Sequence, residues 1–110
     1  MHNAHVKEIV WAGRSKDELM EFPRDARREA GHQLDQVQRG LNPDDWKPMS
    51  TIGPGVKEIR IWDEAGAFRV LYVASIGEQV HVLHCFEKKS QKTSLNDLRL
   101  AQERYKRITR

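Results

Sequence analysis

The spacing of hydrophobic and polar positions along the chain predicts four β-strands. Four short segments are rich in β-branched and aromatic residues, and residues 57–62 also alternate with the two-residue period of a half-buried strand. These segments are residues 5–11, 57–62, 68–73 and 79–86. Glycine-containing turns at residues 63–66 and 75–78 join the last three, so these strands are expected to form an antiparallel meander.

Two helices are expected between the first two strands, and a third at the end of the chain. Ser15 and Glu18 have the spacing of a capping box, and Pro23 suits the first turn of the next helix. The apolar stripe of that second helix comprises Ala26, Ala30, Leu34, Val37 and Leu41. A capping signature at residues 94–97 begins the last helix. Its stripe comprises Leu95, Leu98, Ala101, Tyr105 and Ile108.

The resulting order is β-α-α-β-β-β-α, an α+β fold in which helices cover mostly one face of the sheet. Residues 42–55 are rich in Pro, Gly and Asp and are predicted to be a loop. The whole chain, residues 1–110, is interpreted as one domain. Cys85 is expected to be a small core residue, and Trp11 and Trp62 are expected to close the core.

Charge is distributed unevenly along the chain. The formal net charge is +3, but residues 88–110 carry eight basic and two acidic residues, hence +6, and the remainder sums to −3. A concentration of positive charge favours polyanionic partners such as nucleic acid. No apolar run reaches the length of a membrane span, no secretory signal is visible, and no metal-ligand spacing occurs. A cytoplasmic protein without metal or cofactor is therefore expected.

Three segments of the chain resemble the RelE/ParE toxin superfamily, and most closely its HigB-like, phage-derived branch. They are WKPMSTIGPGVKEIRIW at residues 46–62, FRVLYV at residues 68–73, and VHVLHCFEKKSQKTSLNDLRLAQERYKRI at residues 80–108. Residues 1–45 match mainly in pattern. The resemblance implies a RelE-like fold and a toxin neutralised by an adjacently encoded antitoxin, typically a helix-turn-helix protein. Most such members cleave mRNA in the ribosomal A site, whereas ParE-like members inhibit DNA gyrase.

RNA cleavage of this kind, by attack of a ribose 2′-hydroxyl on the adjacent phosphate, requires a base, charge stabilisation and an acid. By resemblance, Arg69 falls on the family's strand arginine, which contacts the scissile phosphate. An ion pair of Arg69 with Glu58 or Glu87 is the structural alternative. The resemblance also offers Arg60 as a phosphate or base ligand, and a cross-strand salt bridge is its structural alternative.

Lysines after the last predicted strand are expected to contact the RNA backbone, and their ammonium groups either to stabilise the developing charge or to protonate the leaving oxygen. Lys88 is the catalytic candidate of this cluster. The RNA-binding candidates are Lys89, Lys92, Lys57 and Trp46. The C-terminal His-Tyr pair of certain relatives is absent, so Glu58, His84 and a lysine remain open as the general base. The alternative to a role as general base is that His84 is a packed core residue of the strand.

Three functions stay open from the sequence. The first is a metal-independent, ribosome-dependent mRNA endonuclease, with ribosome, mRNA and antitoxin as partners. The second is a gyrase-inhibiting toxin on the same fold. The lysines after the last predicted strand argue against it, because ParE-like members tend to lack such catalytic basic residues. The third is a non-catalytic binding or regulatory module.

Overall fold

A computed structural model describes residues 6–110, so His5, within the first predicted strand, lies outside the described residues. The elements in chain order are β1 (Glu8–Trp11), α1 (Ser15–Met20), α2 (Arg24–Gln38), β2 (Trp46–Pro48), β3 (Val56–Asp63), β4 (Gly66–Val73), β5 (Gln79–Lys88) and α3 (Leu95–Thr109). The predicted α+β fold is confirmed, and it is compatible with a RelE-like fold. The short strand β2 lies within the predicted loop.

The strands form one five-stranded sheet in the order β1-β5-β4-β3-β2. The predicted meander of β3, β4 and β5 is antiparallel throughout, and β2 adds to its outer edge by antiparallel pairing with β3. By contrast, β1 pairs with β5 in parallel. The sheet is therefore mixed, with the shortest strands at its two edges.

Helices cover both faces of this sheet. The α1–α2 face carries a core that includes Phe22 from the turn between the two helices, Leu34 from α2 and Val70 from β4. On the opposite face, here the α3 face, Leu71 packs in a cluster with Ala101. Two of the three helices thus share one face, as predicted, while α3 occupies part of the other.

A β-bulge changes the alternation of β5. The register shifts between Leu71 and Tyr72, so that Leu71 pairs with His84 and Tyr72 with Val82. An extra residue in one strand exchanges the faces of everything beyond it. Val82 accordingly lies in the α1–α2 core, whereas Phe86 lies on the α3 face, although the simple alternation placed the two together.

The start of α1 differs from the predicted capping box. The residue before the helix is Arg14, and no side chain caps the first turn. The Ser15 hydroxyl instead donates to the carbonyl oxygen of Val82 at 3.0 Å. Glu18 also turns away from the helix start, towards Arg104 of α3 at 2.9 Å. Tertiary partners therefore replace the local hydrogen bonds that the sequence spacing indicated.

The start of α3 follows the prediction. The Ser94 side chain accepts a hydrogen bond from the backbone amide of Asp97 at 3.0 Å. Four of the five predicted stripe residues pack against the sheet, and Leu95 is exposed. Arg104, which the pattern left on a polar face, is buried.

Candidate functional site

Arg69 lies on the α3 face of β4, beyond the part that α3 covers with Leu71. The residue is 3% exposed, and its Nε lies 3.6 Å from Oε1 of Glu58 on the neighbouring strand. Its Nη1 donates to the carbonyl oxygen of Phe68, and the guanidinium lies 5.1 Å from the centroid of the Trp62 ring. The ion pair that the sequence offered as the structural alternative is therefore present.

Glu58 is a fully buried carboxylate between two cations. Its Oε1 lies 3.6 Å from Arg69 and 3.8 Å from Lys47 Nζ, and neither oxygen has a hydrogen-bond donor within the described residues. The positive charges of Arg69 and Lys47, rather than hydrogen bonds, compensate the buried negative charge of this carboxylate. With no solvent exposure, it is poorly placed to take a proton from a substrate.

Arg60 and Arg69 are direct cross-strand partners, an arrangement in which like charges repel. Asp45, just before β2, relieves the repulsion by accepting from Arg60 Nε at 2.9 Å. The same carboxylate accepts from the indole nitrogen of Trp62 at 3.1 Å. Arg60 thus has a salt bridge, the alternative that the sequence offered, and its partner is Asp45.

Lys88 ends β5, where it pairs with Ala67 of β4, and its side chain is partly buried. Burial lowers the pKa of Lys88 below its usual value. The Glu58 carboxylate raises this pKa, whereas three nearby cations, Arg69, Lys47 and Arg60, lower it further. Lys88 is therefore an amine whose proton is held less tightly than that of a solvated lysine.

These cations form what we call the basic cluster: Lys47, Arg60, Arg69 and Lys88. With Asp45 and Glu58 between them, the formal charge of the group is +2, and an anion would balance it. An open cleft of about 340 Å³ adjoins the cluster. It is lined by Trp62, Ala67, Arg69, Lys88, Lys89, Ser90 and Gln91.

The structure brings some predicted RNA-binding residues together and separates others. Lys89 lines the cleft beside Lys88, and Lys92 lines an adjoining hollow that also contains both of these lysines. Lys57 and Trp46 lie on the α1–α2 face, where the Lys57 ammonium is 4.5 Å from the Trp46 ring centroid. The sheet therefore separates that pair from the basic cluster.

Residues 17–106 match the family described as "Phage derived protein Gp49-like (DUF891)". The chain belongs to this family. The Gp49-like family is associated with RelE-like toxins of toxin–antitoxin systems, so the phage-derived and toxin-like character predicted from the sequence is confirmed at this level. No curated protein matches the chain in sequence.

His84 of this Gp49-like protein lies in a buried charged junction away from the cleft lining. Its Nδ1 is 2.9 Å from Oε1 of Glu18, and its Nε2 is 2.7 Å from Oδ1 of Asp97. Arg104 completes the junction with hydrogen bonds to Glu18 and to the carbonyl oxygen of Leu83. Both ring nitrogens are engaged, which supports the packing role for His84 over the role of general base.

Glu18 makes the stability of the Gp49-like protein sensitive to acid. Burial by itself raises the pKa of Glu18, but hydrogen bonds from His84, Arg104 and the Cys85 amide outweigh it and lower the pKa from 4.5 to about 2. The stabilisation is complete above pH 4.5 and is lost as the pH falls towards 2. Glu18→Gln is expected to remove about 3 kcal/mol of it at pH 7.

Urea unfolding at several pH values between 2 and 7 measures this effect. The difference in unfolding free energy between wild type and Glu18→Gln should shrink as the pH falls through this window. Glu103→Gln is the matched control, since Glu103 pairs with Arg107 at the exposed surface of α3 and should change little. A pH-independent difference for Glu18→Gln would contradict the assignment.

Sequence reasoning missed three residues of the site: Lys47, Asp45 and Trp62. Trp62 was expected in the core but is 67% exposed. Its phase with Glu58 and Arg60 in the alternating strand was a usable signal, because that face of β3 is polar. Lys47 and Asp45 had no comparable signal, since they join the site only when β2 pairs with β3.

Within residues 6–110, no helix is long and apolar enough to cross a membrane. In the same range, no three His, Cys, Asp or Glu side chains are grouped so that they could hold a metal ion. Cys85 is buried as predicted, and burial raises the pKa of its thiol.

Proposed function

We propose that this Gp49-like protein is the toxin of a toxin–antitoxin system, of the HigB-like branch, and that it cleaves mRNA on cytoplasmic ribosomes. The observation that carries the proposal is the basic cluster beside an open cleft on the exposed part of the α3 face. A polynucleotide phosphate supplies the negative charge that the cluster lacks.

The proposed reaction is attack of a ribose 2′-oxygen on the adjacent phosphorus, which expels the 5′-oxygen of the next nucleotide. The Lys88 ammonium gives its proton to the leaving 5′-oxygen, and its lowered pKa favours that transfer. The positive charge of Arg69 and Arg60 stabilises the pentacoordinate phosphorane. Of the three candidates for the base that takes the 2′ proton, Glu58 and His84 have other partners, which favours a lysine other than Lys88, acting as a neutral amine that becomes an ammonium group on taking the proton.

The proposal includes an antitoxin that covers the cleft. An acidic or amphipathic segment would complement the basic cluster in charge and would exclude mRNA from it. From the resemblance, this antitoxin is an adjacently encoded helix-turn-helix protein.

Translating ribosomes incubated with the purified protein test the proposed activity. Primer extension should show new mRNA ends at the A site, and none on the same mRNA without ribosomes. A parallel gyrase supercoiling assay should show no inhibition. Uncut A-site mRNA would overturn the proposed function, and inhibited supercoiling would assign the protein to the gyrase-directed class instead.

A further inference from the structure

Trp62 is held by two contacts in an exposed position at the edge of the cleft. One face of its ring lies against the Arg69 guanidinium, and its indole nitrogen donates to Asp45, which Arg60 holds in turn. The only polar group of the side chain is therefore satisfied within the protein. Yet the residue is 67% exposed, so much of the ring surface is available to a ligand.

The neighbours of Trp62 across the sheet define a short row on the same face. Trp62 of β3 pairs with Ala67 of β4, and Ala67 pairs with Lys88 of β5. The small Ala67 side chain leaves space between the indole and the ammonium group, and all three residues line the cleft. Two strand spacings separate Trp62 from Lys88, about 10 Å between their Cα atoms.

An exposed aromatic ring next to a basic groove is the arrangement by which proteins bind single-stranded nucleic acid. The ring stacks on a base, and the cations bind the phosphates. A base within a duplex has both faces covered by its neighbours and cannot stack on the ring in this way.

We propose that Trp62 stacks on one unpaired base of the RNA strand whose phosphate contacts Lys88. This inference rests on the proposed function and names the form of RNA that the site accepts, a strand with an accessible base. Trp62 acts here as a binding platform, and Arg69 supports its inner face.

Equilibrium binding of a short single-stranded RNA to the full chain tests the platform. Trp62→Leu retains an apolar cover over Arg69 but removes the aromatic face, so affinity should fall about 5- to 150-fold, the value of one stacked base. Trp62→Tyr should restore most of this loss. An oligomer of the same length without bases should bind wild type and Trp62→Leu equally.

Two further variants separate stacking from charge. Lys88→Met should weaken binding and reduce the salt slope by about one, whereas Trp62→Leu should leave the salt slope unchanged. Leu41→Ser removes another exposed apolar side chain, on the opposite face, and should leave affinity unchanged. Thermal unfolding of each variant establishes that it is folded.

The outcomes distinguish this inference from the proposed function. RNA binding that depends on Lys88 but not on Trp62 would overturn the stacking platform and leave the proposed function standing. An equal loss on the oligomer without bases would do the same, since Trp62 would then act on the backbone. Absence of any Lys88-dependent binding would overturn the stacking platform, whereas the proposed function is overturned only by uncut A-site mRNA on translating ribosomes.

Discussion

Lys88→Met is expected to lower the rate of A-site mRNA cleavage by about 10²- to 10⁴-fold, because it removes the proton donor for the leaving oxygen. The side chain is partly buried at the end of β5, so the fold should tolerate the change. Cleavage rates on translating ribosomes, measured by primer extension, together with thermal unfolding of the variant, would establish both effects.

Two comparisons separate proton donation from simple charge. Lys88→Arg keeps the positive charge but cannot release its proton, so its rate should remain low while RNA binding is retained. The wild-type rate should fall at high pH as Lys88 is deprotonated, and the fall should begin at a lower pH than for an ordinary lysine because its pKa is lowered. Lys106→Met, on the exposed surface of α3, should cleave normally. A fully active Lys88→Arg variant would show that Lys88 supplies charge alone.

Arg69→Leu is expected to destabilise the protein by about 3–5 kcal/mol, because it leaves the Glu58 carboxylate buried without its closest cation. Adding Glu58→Leu removes that carboxylate, and replacement of both members of a buried pair is often close to neutral. The double variant should therefore regain most of the lost unfolding free energy, which urea unfolding measures. Lys47, 43% exposed, can then turn to water.

Activity should not follow stability in this pair of variants. The double variant is expected to be folded and still inactive, because the guanidinium beside the cleft is gone. Recovery of mRNA cleavage in the double variant would show that Arg69 serves only to balance Glu58. Additive effects of the two substitutions on stability would show that the side chains are not coupled.

Much of the fold was predictable because its elements have local signals. The alternation in β3, the apolar run of β4 and the glycine turns between the last three strands indicated the meander, and the Ser94 signature marked the start of α3. The capping box at Ser15 was wrong for a tertiary reason. Ser15 and Glu18 form hydrogen bonds with buried partners on β5 and α3 instead of with the helix end. Such buried hydrogen bonds stabilise the protein more than a cap on a solvent-exposed helix end would.

The bulge in β5 has no local signal and had the largest consequence for the site. It places Phe86 and Lys88 on the same face as Arg69, whereas unbroken alternation would have grouped Val82 with Phe86. Such a shift of register is set by pairing with the neighbouring strand.

The sequence by itself determined the α+β architecture, the toxin-like family and three members of the basic cluster, Arg60, Arg69 and Lys88, because periodicity, turn residues and motifs are properties of neighbouring positions. Only the tertiary structure decided which charges meet. It brought Lys47 and Asp45 to the basic cluster through β2, turned Trp62 outward, and moved Lys57 and Trp46 to the opposite face. Those placements depend on which strands pair, and the paired strands are separate segments of the chain. The amino-acid pattern of one strand does not specify which other strand it pairs with.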